Sequence, residues 1–146
     1  MSKFMRFRRF LVFIVFGLVL SGCGYDTRGW PNLEVPFLAE NLSKIELIYE
    51  DGASVLNRTL SQDKQISWVI SQIGGFPYKK TTENKNDRIK FACKLIINFF
   101  DSLSENKILS IAYYEYRIAD GKVFYSSGEV YFITGNFILI FERTPF

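Results

Sequence analysis

The chain has no histidine and only two cysteines, Cys23 and Cys93. Histidine is the side chain that ordinarily changes charge near neutral pH. Its absence removes the commonest general base and the commonest nitrogen ligand for a transition metal. Only carboxylates remain to hold a metal, and the spacing of Glu115, Glu129 and Glu142 does not bring them together. No metal and no cofactor is expected. Two cysteines permit at most one bridge within the chain, Cys23 to Cys93. Acidic residues are missing from one region altogether. Residues 1–22 contain no Asp or Glu, yet hold Lys3, Arg6, Arg8 and Arg9.

That basic start is followed by an uncharged apolar run from Phe10 to Leu20, broken only by Gly17, and then by the small residues Ser21 and Gly22. Positive, apolar, small is the layout of a secretory signal peptide. The run is shorter than the roughly 20 residues a permanent membrane-spanning helix needs. Removing this segment changes the charge balance. The whole chain has 18 Lys+Arg and 15 Asp+Glu, a formal +3, whereas 14 basic and 15 acidic residues remain beyond Gly22. The basic excess therefore belongs to the leader. Nothing in the remainder supports nucleic-acid binding, which needs a basic face on the folded domain.

Leu20-Ser21-Gly22-Cys23 resembles the lipobox of bacterial lipoproteins: an aliphatic residue, two small residues, then cysteine. The resemblance covers residues 1–23. It implies a diacylglyceryl group on the Cys23 sulfur, cleavage before Cys23, and an acyl chain such as palmitate on the new amino terminus. Each buried methylene contributes about 0.8 kcal/mol, and two or more chains hold a protein stably where one does not. The resemblance also bears on location. Gly24 stands where an Asp would imply retention in the inner membrane. The implied location is thus the outer membrane, facing the periplasm, in a host with two membranes, and otherwise the outer side of the cytoplasmic membrane. With Cys23 acylated, Cys93 has no partner within the chain, and an unpaired thiol in an oxidising compartment suits a buried position on a strand.

Residues 23–43 lack a steady period and read as a lipidated terminus and tether, although Trp30, Leu33, Val35, Phe37 and Leu38 suggest that part of it packs along the domain. Strand alternation begins at Lys44–Glu50; Asp51-Gly52 supplies a hairpin turn, and 53–60 is the return. Ser61 suits a helix N-cap. Ile66, Val69, Ile70 and Ile73 make one apolar stripe, and Gly74-Gly75 can end the helix in a left-handed conformation. Residues 76–88 read as a polar loop. Strands are then expected at 89–100, where Leu95, Ile97 and Phe99 share one face, at 107–118, at 122–126 continuing past a bulge or turn at Ser127-Gly128 into 129–134, and at 137–143, with Asp120-Gly121 and Gly135-Asn136 as turns. The expectation is an α+β domain over 44–146: one amphipathic helix on a mostly antiparallel sheet of five to six strands, in the order β-β-α-β-β-β-β.

Two motifs carry candidate chemistry. Ser61-Gln62-Asp63-Lys64 matches the S-x-x-K of penicillin-binding enzymes, but the accompanying K-T-G is absent. The motif reads instead as a helix cap followed by a solvated lysine. The chain is rich in aromatics, with 15 Phe, 8 Tyr and 2 Trp. Tyr114, Tyr116, Tyr125 and Tyr131 cluster on adjacent expected strands and offer a candidate binding surface, because tyrosine combines rigid apolar area with a polar tip. Cross-strand packing is the competing use of the same residues. The expected function is that of a lipid-anchored, non-catalytic envelope protein that binds a protein or envelope polymer. An immunity or inhibitor lipoprotein that blocks a secreted toxin or hydrolase is the alternative, and a small carboxylate-dependent enzyme the least favoured one.

Overall fold

The computed structural model describes residues 26–82, 93–117 and 119–145. Leu20, Ser21, Gly22 and Cys23 lie outside these residues, as does the expected strand start at 89–92. Seven strands form one antiparallel sheet: β1 (Leu42–Asp51), β2 (Ser54–Leu60), β3 (Tyr78–Lys80), β4 (Cys93–Asp101), β5 (Lys107–Arg117), β6 (Asp120–Tyr125) and β7 (Val130–Thr134). Helix α1 (Asp63–Ile73) joins β2 to β3, and a single helical turn, α2 (Leu139–Glu142), follows β7. Across the sheet the strands run β2-β1-β4-β5-β6-β7-β3. Strands β4 to β7 are a meander, while α1 carries the chain between the two edge strands.

The broad class is α+β, with two corrections. Among the described residues the sheet has seven strands, not five or six: β3 lies within the stretch that reads as a polar loop, and β6 and β7 are two paired strands rather than one continuing past a bulge. Three residues are too few to display a period, and β3 exists because Tyr78, Lys79 and Lys80 pair with Ile133, Phe132 and Tyr131. The last expected strand, 137–143, is instead the helical turn α2. There Phe137, Ile138, Ile140 and Phe141 are all buried. An apolar run this short does not distinguish a buried strand from a helix by period alone. The element order is therefore β-β-α-β-β-β-β-β, closed by a helical turn.

Local details shift by a residue or so. The helix N-cap is Gln62 rather than Ser61, and Gln65 Oε1 accepts from the Gln62 amide at 3.3 Å. Gly74 ends the helix at φ −65°, right-handed, with its amide donating to Ile70. The β1–β2 connection is Gly52-Ala53, since Asp51 already pairs with Ser54. Gly52 has φ +59°, so the first turn residue is the one that needs glycine. Asp120 and Gly121 belong to strand β6; the turn before it places Ala119 at φ +67°.

One face of the sheet is covered. Ile66, Val69 and Ile73 of α1 and Phe137, Ile140 and Phe141 around α2 join Ile45, Leu47, Leu95, Ile97, Phe99, Ile111, Tyr113, Val123 and Ile133 in one core. The lead-in contributes Leu33, 1% exposed, whose amide donates to Phe76 while the Tyr78 amide donates to Pro31. Arg58 lies over the Phe141 ring, 4.1 Å from its centroid, and donates to the Phe141 carbonyl, pinning α2 to β2.

Candidate interaction surface

Side chains alternate along a strand, so the second face of the sheet carries the residues between the core positions. Register arranges them in rows. The polar row is Thr59, Glu46, Asn98 and Ser110. Asn98 is buried there; its amide donates to Glu46 at 3.1 Å and its carbonyl oxygen accepts from Ser110 at 2.7 Å. The next row is apolar over five strands: Ile48, Ile96, Ala112, Phe124 and Val130. Beyond it lie Tyr114, Lys122, Phe132 and Lys79. Among the described residues, neither α1 nor α2 packs on this face, because both bury their apolar sides in the opposite core.

Aromatic contacts order the third row. The Tyr114 ring meets Phe124 edge to face with centroids 5.1 Å apart, and Lys122 lies 5.6 Å from the Tyr116 ring centre. Trp30 meets Phe132 edge to face at 6.3 Å. These last two rings, with Lys79, Lys80, Thr81 and Lys122, line an open cleft of about 350 Å³. Among the described residues, the lining has three ammonium groups and no carboxylate. Glu129 lies in a neighbouring concavity beyond Lys80, where the Ser127 hydroxyl donates to it and holds its carboxyl below the usual range.

The sheet divides the four tyrosines that sequence reading grouped together. Tyr114 and Tyr116 lie on the open face and are half-buried. Tyr125 is buried on the helix side, and its hydroxyl donates to the Glu34 carbonyl at 3.1 Å. Tyr131 is half-buried on that same side, with its ring 5.2 Å from Tyr125 and 4.5 Å from Tyr78. Burial raises the pKa of both groups, strongly for Tyr125, with the nearby Tyr131 and Glu129 adding to it. Tyr125 and Tyr131 therefore share no surface with Tyr114 and Tyr116.

Sequence reading missed the cleft. Trp30 sits in the aperiodic lead-in and Lys79 in the unrecognised β3, so nothing along the chain showed that β7 would place Phe132 between Lys79 and Lys122. The only available signal was a tryptophan in a stretch otherwise resembling a tether. Ser61 and Lys64 are both exposed at the start of α1. The backbone of Cys93 pairs with Tyr114. Glu115 and Glu142, with Asp51, act on Tyr49, whose pKa is raised first by burial and then by these charges. Glu129 is not among them. Among the described residues, no three His, Cys, Asp or Glu side chains converge as metal ligands, and no helix is long and apolar enough to cross a membrane. Comparison with known proteins gives no match: no family model, no curated protein and no solved structure.

Proposed function

We propose that this chain is a lipid-anchored, non-catalytic interaction module of the bacterial cell envelope, and that another envelope protein docks on its open sheet face. Acyl chains on Cys23 tether it. The observation that carries the reading is the pair of apolar and aromatic rows, from Ile48 across to Phe132, on a face that neither helix covers; Ile48, Ile96, Ala112, Tyr114 and Phe132 are half-buried there, and Phe124 and Val130 are buried among them. Contiguous apolar surface rimmed by polar groups marks interaction sites, and here Glu46, Asn98 and Ser110 form one rim.

Two measurements test the two halves of the proposal. Mass spectrometry of the native protein is expected to find a mature chain beginning at Cys23 with acyl mass. An intact Met1 terminus or a Cys23–Cys93 bridge would reject the anchor. A photo-cross-linking residue at position 114 or 116 of the full-length protein should form one discrete adduct in intact envelopes, and the same residue at exposed Lys64 should form none. Tyr116→Ala should leave the melting temperature nearly unchanged. Tyr114→Ala should cost about 1 kcal/mol through its lost ring contact. Both should abolish adduct formation by a cross-linker at position 112, and loss of fold in place of loss of adduct would sink the reading.

A further inference from the structure

The two edges of the sheet differ in chemistry. Edge strand β2 is seven residues long, with Val55 60% and Leu56 48% exposed. Edge strand β3 has three residues, Tyr78-Lys79-Lys80, follows Pro77, and exposes both lysines. Beside β3 runs the lead-in, bridged at Asn32 to Pro77. Trp30 is seven residues after Cys23, so an extended chain allows at most about 25 Å between them. The cleft of Trp30, Phe132, Lys79, Lys80 and Lys122 thus lies within reach of a lipid anchor on Cys23.

We infer that the β3 edge is a membrane-docking edge, at which Lys79, Lys80 and Lys122 contact anionic lipid phosphates while Trp30 and Phe132 settle at the headgroup level. This rests on the proposed anchor at Cys23. Charge complementarity selects the occupant, because among the described residues the cleft is lined by Lys79, Lys80 and Lys122 and by no carboxylate, with Glu129 in the neighbouring concavity offsetting only part of the Lys80 charge. Arg28 adds no net charge, being paired with Asp26 at 3.2 Å. Tryptophan favours the interface because its ring is apolar and its N–H polar. An anchor plus a basic patch is the two-signal arrangement that makes membrane attachment stable. Strands are spaced by about 4.8 Å. Standing on β3, the sheet would hold the β5 tyrosines about 14 Å above that edge, three spacings away, and β2 about 29 Å above it. The rest of the open face, from Ile48 to Tyr114 and Tyr116, would then stand upright on the membrane and remain accessible to a protein partner.

The test uses the full-length lipoprotein carrying Trp68→Phe, which leaves Trp30 as its single tryptophan. It is reconstituted into phosphatidylcholine vesicles with or without phosphatidylglycerol, with brominated acyl chains as contact quenchers. Trp30 should be quenched in the anionic vesicles much more than in the neutral ones. Salt that shortens the screening length to about 3 Å should reverse this. Each lysine is worth about fivefold in surface partitioning, so Lys79→Glu with Lys80→Glu should lower the docked-to-undocked ratio about 25-fold or more. A chain that floats with anionic vesicles while Trp30 stays unquenched overturns the docking edge and leaves the anchor intact. A chain that does not float overturns both. If Trp30 instead responds to soluble glycerol phosphate in detergent and not to the anionic vesicles, the cleft holds a small anion and membrane docking is overturned.

Discussion

Tyr113 and Tyr114 are neighbours in β5 and point to opposite faces of the sheet. Tyr113 is fully buried, packed against Phe137 with ring centroids 5.0 Å apart, and burial drives its pKa upward. Tyr114 is half-buried beside Phe124 on the face that neither helix covers. One residue type thus does two jobs, set by a single step in strand parity. The covered face is held by close packing of large side chains. The open face is held by hydrogen bonds across the strands and by ring-edge contacts. A substitution should therefore act mainly on stability on the first face and mainly on binding on the second.

The largest expected effect tests how tightly the covered face is packed. A Cβ at Gly121 would lie 2.4 Å from the Tyr114 carbonyl oxygen and 2.5 Å from the Tyr113 ring. The oxygen belongs to the strand that pairs with β6, so relief requires disrupting the β5–β6 ladder. Gly121→Ala should destabilise by about 3 kcal/mol, read as a lower denaturant midpoint. A cost within about 0.5 kcal/mol, ordinary for a surface site, would mean that the two strands adjust freely and that the covered face is not close-packed there.

Alkaline titration separates the faces next. Tyr113 and Tyr125 both have pKa values raised by burial above the ordinary 10.0. In each case the folded state holds the proton more tightly than the unfolded chain does. Their contribution is fully present below the unfolded pKa near 10 and is lost as pH rises through the folded value. Above about pH 10, stability should fall by about 1.4 kcal/mol per pH unit for each of the two groups. Tyr113→Phe with Tyr125→Phe should flatten the slope. A slope left unchanged in that double variant would erase the distinction between the faces.

What the sequence disclosed follows the same division. The helix over 63–73 and strands β1, β2, β4, β5 and β7 were legible because periodic segments state which side is buried. The core positions Ile66, Val69, Ile73, Leu95, Ile97 and Phe99 followed from that period. Pairing between distant strands was not legible. Nothing in Tyr78-Lys79-Lys80 indicates β7 as its partner, so the row joining Lys79 to Phe132 and Lys122 could not be assembled in advance. Gly121 was read as a turn residue because Asp-Gly usually is one. Its actual role, leaving space for the Tyr113 ring, depends on a neighbouring strand. Alternation by itself parts Tyr113 from Tyr114, but it does not say that Tyr125 follows Tyr113 into the core.

The smallest effect is the most discriminating, because it predicts opposite signs for two buried tyrosines. The Tyr125 hydroxyl donates to Glu34 and ties the lead-in to β6. Tyr125→Phe should therefore cost about 1 kcal/mol, the net value of one such bond. The Tyr113 hydroxyl is buried with no hydrogen-bond partner among the described residues. Deleting a buried polar atom that bonds to nothing removes a desolvation cost and leaves the ring packing in place. Tyr113→Phe should therefore stabilise the protein by about 1 kcal/mol and raise its melting temperature by about 4 °C. Destabilisation by Tyr113→Phe would show that the hydroxyl has found a partner. The core beneath the sheet would then be held by polar bonds as well as by packing, and the contrast with the open face would narrow to exposure alone.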